Sequence, residues 1–475
     1  MDANNPTSEK VEVEQLQDVA KNNLEASGAE TGSDRALGSF VDVDEKKVLR
    51  KMDIRLIPML AALYLLSFLD RGNIGNAKIE GLQEDLNMTP GQYNWCLTVF
   101  FFSYAAFEVP SNLLLKKLRP SRWLPLIMYY LTMWYCRHEI QLRQALFFSA
   151  ASIAGAFSGL LAFGISKMDG VGGLAGWRWI FILEGIATVL VAASAFFLLH
   201  DFPETAKFLT EEERAFVIHR LKYQGQVQLS ADGTTHHGQV AQAEEFQWKY
   251  VRQAFTDWQI WVNIFVYWSI VCPLYGISLF LPTIIKSLHY TSSTAQLMTV
   301  PIYVVAAILA VISAYFSDKV GKRSPFIIGF LFMMIIGYSM CIGSSNPKVV
   351  YGGIFIVACA IYPSFPGVIA WLSNNLSGSY KRSAGMAIQI GVGNLGGAMA
   401  SNFYRQVDSP RYKLGHGLEL GFISMGIIAS VILIVSYHTI NKKREKKLAN
   451  GEAAHISPEE LSEMGDRAVT FRYMF

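Results

Sequence analysis

Residues 66–77 read LSFLDRGNIGNA, and they overlap the end of an apolar run, residues 54–69, that is slightly short for crossing a bilayer. A spanning helix needs about 20 mostly apolar residues, with about 17 as the lower limit. The helix must therefore continue through residues 70–77, which places Asp70 and Arg71 at membrane depth. A charge there costs about 2.5–3.5 kcal/mol on insertion scales, so it usually faces a cavity or a partner. This stretch predicts a spanning helix whose charged residues have a function.

The composition points to lipid as the solvent for most of the chain. The 475 residues are 52% hydrophobic and only 17% charged, with a mean hydropathy of +0.27. Soluble domains usually carry about 25% charged residues. The net charge of +3 comes from basic residues at helix ends, so no nucleic-acid partner is expected. The five cysteines form no CxxC pair, which gives no support to a disulfide framework or a zinc site.

Long apolar runs recur along the chain and predict an all-α membrane protein with about ten full spans and one short apolar segment. The runs are separated by short polar turns and by one long central loop. The predicted spans are residues 54–77, 93–115, 144–166, 178–199, 258–283, 295–316, 325–343, 349–372, 383–404 and 417–438.

Lysine and arginine near the helix ends set the predicted orientation, because cytoplasmic loops carry an excess of both. Lys46, Lys47, Arg50 and Lys51 precede the first span and put the N-terminus in the cytoplasm. We expect five regions: a disordered cytoplasmic tail (1–50), an incomplete N-terminal bundle (51–200), a cytoplasmic central loop (201–257), a six-helix C-terminal bundle (258–440) and a basic cytoplasmic tail (441–475).

One segment does not fit this arrangement. Residues 123–136 are apolar but too short to span, and basic residues flank them on both sides, so a buried, re-entrant or interfacial segment is expected. An internal repeat supports this interpretation. In the second half two spans separate the basic turn at 318–323 from the loop at Lys381, whereas in the first half only this segment separates the corresponding turn from Arg137. The repeat therefore predicts that a helix hairpin is missing from the first half.

Several motifs together resemble one transporter family. They are LSFLDRGNIGNA (66–77), FEVPSN (107–112), GWRWIFILEG (176–185), WLSNN (371–375) and the turn DKVGKR (318–323). By these motifs the chain resembles fungal major facilitator transporters of the anion:cation symporter branch, the allantoate permease-like group.

The resemblance implies a major facilitator fold of two pseudo-symmetric six-helix bundles. It also implies proton-coupled symport of a small carboxylate, such as nicotinate, pantothenate, biotin or allantoate, by a monomer in the plasma membrane lipid bilayer, without a cofactor. The hairpin expected between Met128 and Tyr129 would carry an arginine and a glutamate that such relatives use for substrate and proton binding. No position of this sequence corresponds to them.

Asp70 and Arg71 are the leading candidates for binding. Arg71 can offer a forked, permanently charged donor to a substrate carboxylate, and Asp70 can take and release the coupling proton. The alternative places both residues in wet headgroups or in a structural ion pair. Asn73 lies on the same helix stripe as Asp70.

Further polar residues in the spans are candidates for substrate contact or gating. Glu108 can titrate or pair during gating, or it can be a fixed structural partner. Asn374, Asn375, Gln389 and Asn394 suit a polar substrate, with hydrogen bonding between helices as the alternative. A last group is predicted to latch helix ends during gating: Asp318, Gly321, Lys322 and Arg323.

Other functions remain possible alongside proton-coupled anion symport. A transport-defective, sensor-like protein would keep the fold and lose the coupling site, and a truncated chain would have no stable form. An enzyme is not expected, because GVGNLG (391–396) lies inside an apolar helix and the sequence shows no metal cluster or nucleophile elbow. Arg178 and Glu184 are interpreted as structural, since tryptophans mark an interface beside them.

Overall fold

The computed structural model describes residues 43–115, 134–135, 137–200, 202–223, 248–450 and 464–475, and within them it contains helices and no strand. The predicted all-α fold class is confirmed. The helices, in chain order, are α1 (Glu45–Ile79), α2 (Leu82–Asp85), α3 (Pro90–Leu115), α4 (Arg137–Ser166), α5 (Gly176–Leu198), α6 (Glu211–Tyr223), α7 (Trp248–Thr256), α8 (Trp258–Ser287), α9 (Ser292–Val320), α10 (Ser324–Gly343), α11 (Pro347–Asn375), α12 (Ser379–Ala400) and α13 (Lys413–Ala449).

Eight helices of the described part are long and apolar enough to cross a membrane. Helices α3 and α12 match the two remaining predicted spans, although neither reaches the same hydropathy within the described residues. Helix α1 runs without a break to Ile79. The prediction that the first helix continues through residues 70–77 is therefore confirmed.

The sequence explains where several helices begin and bend. Asp44 caps α1 by accepting hydrogen bonds from the backbone N–H groups of residues 46 and 47, and Asp257 caps α8 through the N–H of Gln259. Helix α8 also contains Pro273 and Pro282. Each proline removes a backbone hydrogen bond from the helix interior, so α8 is a helix that can bend between fixed ends.

Small residues let the two halves of the molecule approach closely. Helix α1 packs on α8, α3 on α12, and α4 on α9. A Cβ atom on Gly75 would lie 2.7 Å from the Leu279 carbonyl oxygen, and one on Gly159 would lie 2.7 Å from the Gln296 carbonyl oxygen. Such close helix contacts are typical of membrane proteins, in which packing replaces the hydrophobic effect.

The end of the predicted short apolar segment is buried on the N-terminal half. Trp134 and Tyr135 are each 1% exposed. The guanidinium of Arg143 lies 4.2 Å from the Tyr135 ring centroid and forms a two-pronged ion pair with Asp53 of α1, at 2.6 and 2.9 Å. Residues 123–133 and 136 lie outside the described residues, so the structure supports a buried end for this segment and does not bear on the rest.

Residues 464–475 return to the C-terminal half and form a structure that we call the C-terminal strap. Its Asp466 side chain is buried and accepts a hydrogen bond from Lys381 Nζ, at 2.6 Å, and one from Gln259 Nε2, at 3.0 Å. Lys381 Nζ also contacts Asp257, again at 2.6 Å. Tyr473 stacks on Tyr437 of α13, with ring centroids 4.6 Å apart. The strap therefore joins the ends of α8, α12 and α13 that the charge pattern places in the cytoplasm.

A candidate anion site between the two halves

The guanidinium of Arg71 lies among aromatic rings near the junction of the two halves. Its Cζ atom is 4.9 Å from the ring centroid of Phe68, 5.1 Å from that of Tyr104 and 5.8 Å from that of Phe100. Aromatic faces attract a cation without neutralising its charge. The surroundings of Arg71 therefore hold the guanidinium in place and leave its charge available.

A chain of hydrogen bonds connects Arg71 to the C-terminal half. Arg71 Nη1 donates to the Tyr275 hydroxyl of α8 at 3.1 Å, and Tyr275 donates to Asn394 Oδ1 of α12, also at 3.1 Å. Arg71 belongs to the first half, and its partners belong to the second. The predicted site residues Arg71 and Asn394 are thus brought together through a tyrosine.

Asp70 points away from Arg71. Both oxygens of its carboxylate accept from the Thr188 hydroxyl of α5, at 3.2 and 3.3 Å. Successive residues of a helix are turned by about 100°, so neighbours face different partners. Among the described residues no carboxylate forms an ion pair with Arg71, and the alternative of a structural Asp70–Arg71 pair is not seen.

Asn73 and Glu184 form a buried polar contact near Asp70. They are 1% and 5% exposed, and both Glu184 oxygens lack a geometrically satisfactory hydrogen bond. Glu184 faces Asn73 and Asp70 across the contact between α1 and α5. Glu184 is interpreted from the sequence as structural, and the structure places it against α1 in this contact.

A small cavity lies where α1 and α4 meet the second half. A cavity of about 20 Å³ is bordered by Phe68, Gly72, Asn76, Ser158 and Tyr303, among others. That volume holds about one water molecule. Asn76 Nδ2 donates to Ser158 Oγ at 2.7 Å across it. A cavity of this volume is too small for an organic molecule.

The predicted outer ends of the helices are joined across the two halves. Lys286 Nζ at the end of α8 donates to the Ile79 carbonyl at 2.9 Å, and Ser292 Oγ of α9 donates to the same carbonyl at 3.2 Å. Gln296 Nε2 donates to Glu80 Oε1 at 3.0 Å. The structure therefore shows a conformation that is closed at this end.

Comparison with known proteins identifies the family. The sequence profile described as Major Facilitator Superfamily matches residues 123–401, more than half of the chain. The uncharacterized transporter C11D3.18C of Schizosaccharomyces pombe is 32% identical over 468 residues, which cover 90% of each chain. The chain belongs to the Major Facilitator Superfamily.

Among other relatives of this superfamily member is the high-affinity nicotinic acid transporter of Saccharomyces cerevisiae. It is 32% identical over 486 residues, covering 94% of this chain and 88% of the relative. The MFS-type transporter cnsO of Penicillium expansum is also 32% identical, with 92% of each chain covered. The predicted superfamily and a transport function are thereby confirmed, and the chain is a multi-pass membrane protein.

Solved structures agree on the major facilitator fold. A bacterial homologue of the human lysosomal transporter Spinster superposes with a TM-score of 0.53 at 14% identity, covering 80% of this chain and 94% of that one. A double-tryptophan mutant of XylE superposes with a TM-score of 0.54 at 15% identity, covering 81% and 95%. At these identities the likeness concerns the fold alone.

The remaining predicted substrate residues of this superfamily member lie apart from Arg71. Gln389 Nε2 donates to Asn263 Oδ1 at 2.5 Å, and both side chains are buried between α12 and α8. Asn375 exchanges two hydrogen bonds with the backbone of Met474 in the C-terminal strap, at 2.7 and 3.0 Å. Asn374 is exposed. The geometry gives Asn375 a structural partner, and the side chain of Glu108 lies outside the described residues.

The predicted gating turn between α9 and α10 also contacts the strap. Arg323 Nη1 donates to Ser317 Oγ at 2.7 Å, and the Arg323 backbone N–H donates to the carbonyl of Phe475 at the same distance. Gly321 has φ +69°, a left-handed conformation that favours glycine. Lys322 is exposed, and the Asp318 side chain lies outside the described residues. A gating role for these residues stays a prediction.

Sequence reasoning missed two groups of residues. Tyr275 was overlooked because a tyrosine in an apolar run is usually read as packing, and no pattern marks it as the partner of a residue on another helix. Glu419 could have been found. It is a carboxylate inside the predicted last span, and an ionisable residue within a span is a functional candidate by default.

Proposed function

We propose that this protein is a secondary transporter that carries a small organic anion together with a proton, and that Arg71 binds the anionic group. One observation carries the proposal. The Arg71 guanidinium faces aromatic rings and Tyr275 at the junction of the halves, with no carboxylate partner in the described part of the chain. A partly buried cation without a counter-ion is costly, and a substrate carboxylate would supply the missing negative charge through two parallel hydrogen bonds.

The arrangement around Arg71 favours a planar carboxylate. Phe68, Phe100 and Tyr104 supply aromatic faces beside the guanidinium, and Tyr275 and Asn394 supply neutral hydrogen-bonding groups from the other half. An aromatic or conjugated acid could stack on the rings while its carboxylate bonds to Arg71. A relative named for nicotinic acid transport makes nicotinate the first substrate to test.

The coupling proton has a candidate site on a different face of α1 from Arg71. Asp70, Asn73 and Glu184 lie together there, one helix face away from Arg71. A carboxyl group that gains a proton when the anion binds would keep the net charge of the site low during crossing. We propose that Asp70 takes this proton, that the protein acts as a monomer, and that it resides in the plasma membrane.

Uptake measurements on Arg71 variants test the anion site. We expect the Arg71→Gln chain, expressed in cells that lack nicotinate uptake, to take up radiolabelled nicotinate roughly 10- to 100-fold more slowly, because charged hydrogen bonds contribute about 1.5–3 kcal/mol. Arg71→Lys keeps the charge and loses the fork, so a smaller decrease is expected. Arg405→Gln is the matched control, since Arg405 is exposed and pairs locally with Asp408 at 3.0 Å.

A panel of pantothenate, biotin and allantoate extends the test when nicotinate is not carried. Uptake of one of them with the same Arg71 dependence supports the proposal. Equal uptake by the wild-type and Arg71→Gln chains would contradict it.

A second candidate function is that of a transport-defective member of the superfamily. The described part contains four long helices in the first half, α1, α3, α4 and α5, and six in the second. The alignment with C11D3.18C has 468 positions, but only 90% of these 475 residues take part in it. Because 90% of 475 is fewer than 468, the relative has residues without a counterpart in this chain. The residues that this chain lacks relative to C11D3.18C support a missing hairpin.

Sequencing the transcript across the codons for Met128 and Tyr129 separates the two candidates. An additional in-frame segment that encodes two apolar runs would favour an intact symporter. A confirmed junction, together with nicotinate binding but no uptake, would favour the transport-defective protein.

A further inference from the structure

A second buried carboxyl group lies in the C-terminal half. Glu419 of α13 is 0% exposed, and neither of its oxygens has a hydrogen-bond partner. The carboxyl packs so closely on the backbone of Gly276 in α8 that a Cβ atom on this glycine would collide with Glu419 Oε1. The contact between α8 and α13 thus places an acid against a bare helix backbone.

Neutral groups surround this carboxyl. Within the described residues, the titratable side chains that face Glu419 are Cys272 of α8, Tyr338 of α10 and Tyr404, which follows α12. His416 lies one turn earlier on α13, and its Nδ1 is 3.2 Å from the Tyr404 hydroxyl. None of these groups is a lysine or an arginine. An ionised carboxylate here would lack both a counter-ion and water, so the uncharged acid is the form that fits.

The position of Gly276 links this acid to the anion site. Gly276 follows Tyr275, the residue that receives the hydrogen bond from Arg71 and donates to Asn394. The two residues present different sides of α8, one toward Arg71 and the other toward Glu419. Because Pro273 and Pro282 interrupt the hydrogen bonding of this helix, the segment between them can shift while its ends stay fixed.

We propose that Glu419 is a proton-binding site that is coupled to Arg71 through the Tyr275–Gly276 segment of α8. In the conformation described here the acid is protonated and α8 packs on α13. When Glu419 releases its proton, the carboxylate needs water, which requires α8 to move away from α13. That movement displaces Tyr275 relative to Arg71 and so changes the hydrogen bond between them. The step is a proton transfer between the carboxyl group and water, and no other group is consumed.

This inference rests on the proposed function only where it gives the Glu419 proton a role in transport. Whether Glu419 holds a proton can be measured without a substrate. In infrared spectra of the purified full chain at neutral pH, we expect a carbonyl band of a protonated carboxylic acid that disappears in alkaline buffer. Glu419→Gln should remove this band. Asp466→Asn is the matched control, because Asp466 is also a buried acid but forms an ion pair with Lys381 at 2.6 Å. A spectrum of Glu419→Gln identical to that of the wild type would overturn the proposal.

A second variant covers the case in which Glu419→Gln does not accumulate in membranes. Glu419→Asp keeps the acid but withdraws it from Gly276 by one methylene group. We expect its band to shift in frequency and to disappear at a different pH. An unchanged band and an unchanged pH dependence would count against Glu419 as the origin.

Transport by proteoliposomes tests the coupling. With nicotinate as the probe, Glu419→Gln should still exchange labelled for unlabelled substrate. Its accumulation of nicotinate under a pH gradient should be at least about 10-fold lower than that of the wild type. Accumulation equal to that of the wild type, with the same pH dependence, would overturn the coupling role. If the wild-type chain carries no carboxylate, the proposed function fails, and the infrared band still decides whether Glu419 holds a proton.

Discussion

The two halves of the molecule differ in how far each is enclosed by its own helices. In the most apolar stretch of α8, 83% of the residues are buried, whereas in that of α5 the share is 17%. The C-terminal half also has a strap across its predicted cytoplasmic face, centred on the buried Lys381. In the first half, the ion pair between Arg143 and Asp53 is less buried, because the Asp53 side chain is 34% exposed. Within the described residues, the comparison indicates a second half with an enclosed central helix, α8, and a first half in which α5 leaves an open face.

The largest effect is expected from removing the charge at the centre of the strap. Lys381→Met leaves the buried carboxylates of Asp257 and Asp466 without a counter-ion, at 5% and 2% side-chain exposure. Breaking one partner of a buried ion pair typically costs about 3–5 kcal/mol. We expect a large decrease in the melting temperature of the purified protein in detergent, followed by fluorescence-detected size-exclusion chromatography.

The matched variants decide whether the decrease reflects burial. Lys443→Met, at an exposed position of α13, should leave the melting temperature unchanged. Arg143→Met in the first half should cause a smaller decrease, because Asp53 is 34% exposed and water can solvate it. A loss for Arg143→Met equal to that for Lys381→Met would contradict the difference between the halves.

A smaller effect is expected where the two halves meet. Gly75→Ala would place a Cβ atom 2.7 Å from the Leu279 carbonyl oxygen, whereas Gly185→Ala on α5 would place one in open space. Overpacking of a tight contact typically costs about 1–3 kcal/mol. We expect Gly75→Ala to lower the melting temperature and to slow uptake, since α1 and α8 can no longer close.

Gly185→Ala is the comparison for the open face of the first half. It should be neutral or slightly stabilising, because alanine favours helix more than glycine does. If Gly185→Ala destabilises as much as Gly75→Ala, then the face of α5 is covered by protein, and the first half is more complete than the described residues show.

The sequence predicted those features that follow from the cost of placing charge and backbone in lipid. The course of α1 through Asp70 and Arg71 followed because the preceding apolar run is too short to span. Their polarity within apolar spans marked Arg71 and Asn394, but no signal marked Tyr275, which joins them. The hydrogen bonds between Asn375 and Met474 connect residues about one hundred positions apart, and no local pattern encodes such a pairing. The prediction of a basic tail at 441–475 overlooked the aromatic residues Phe471, Tyr473 and Phe475, which make the strap apolar enough to be buried.

The smallest effect concerns the predicted cytoplasmic edge of the first half. Thr210 and Glu213 form a capping box at the start of α6, in which the Thr210 N–H donates to Glu213 Oε2 at 2.8 Å and the Glu213 N–H donates to Thr210 Oγ1 at 3.2 Å. Lys51 of α1 also donates to this carboxylate, at 2.7 Å. Partial burial acts to raise the pKa of Glu213, but the hydrogen bonds from Lys51 and Thr210 outweigh it and hold the pKa below the ordinary 4.5.

Because the folded protein binds this proton less readily than the unfolded chain, the stabilisation by Glu213 is complete above about pH 4.5 and is lost as the pH falls through the lowered pKa. Lys51 is 40% exposed, so a contribution of only about 0.5–1 kcal/mol is expected. Glu213→Gln should lower the melting temperature slightly at pH 7, and the difference from the wild type should narrow in acid. Glu212→Gln, on the same turn and exposed, is the control. A constant difference between pH 7 and acid would mean that Glu213 contributes through helix capping alone, and that its charge does not tie α6 to α1.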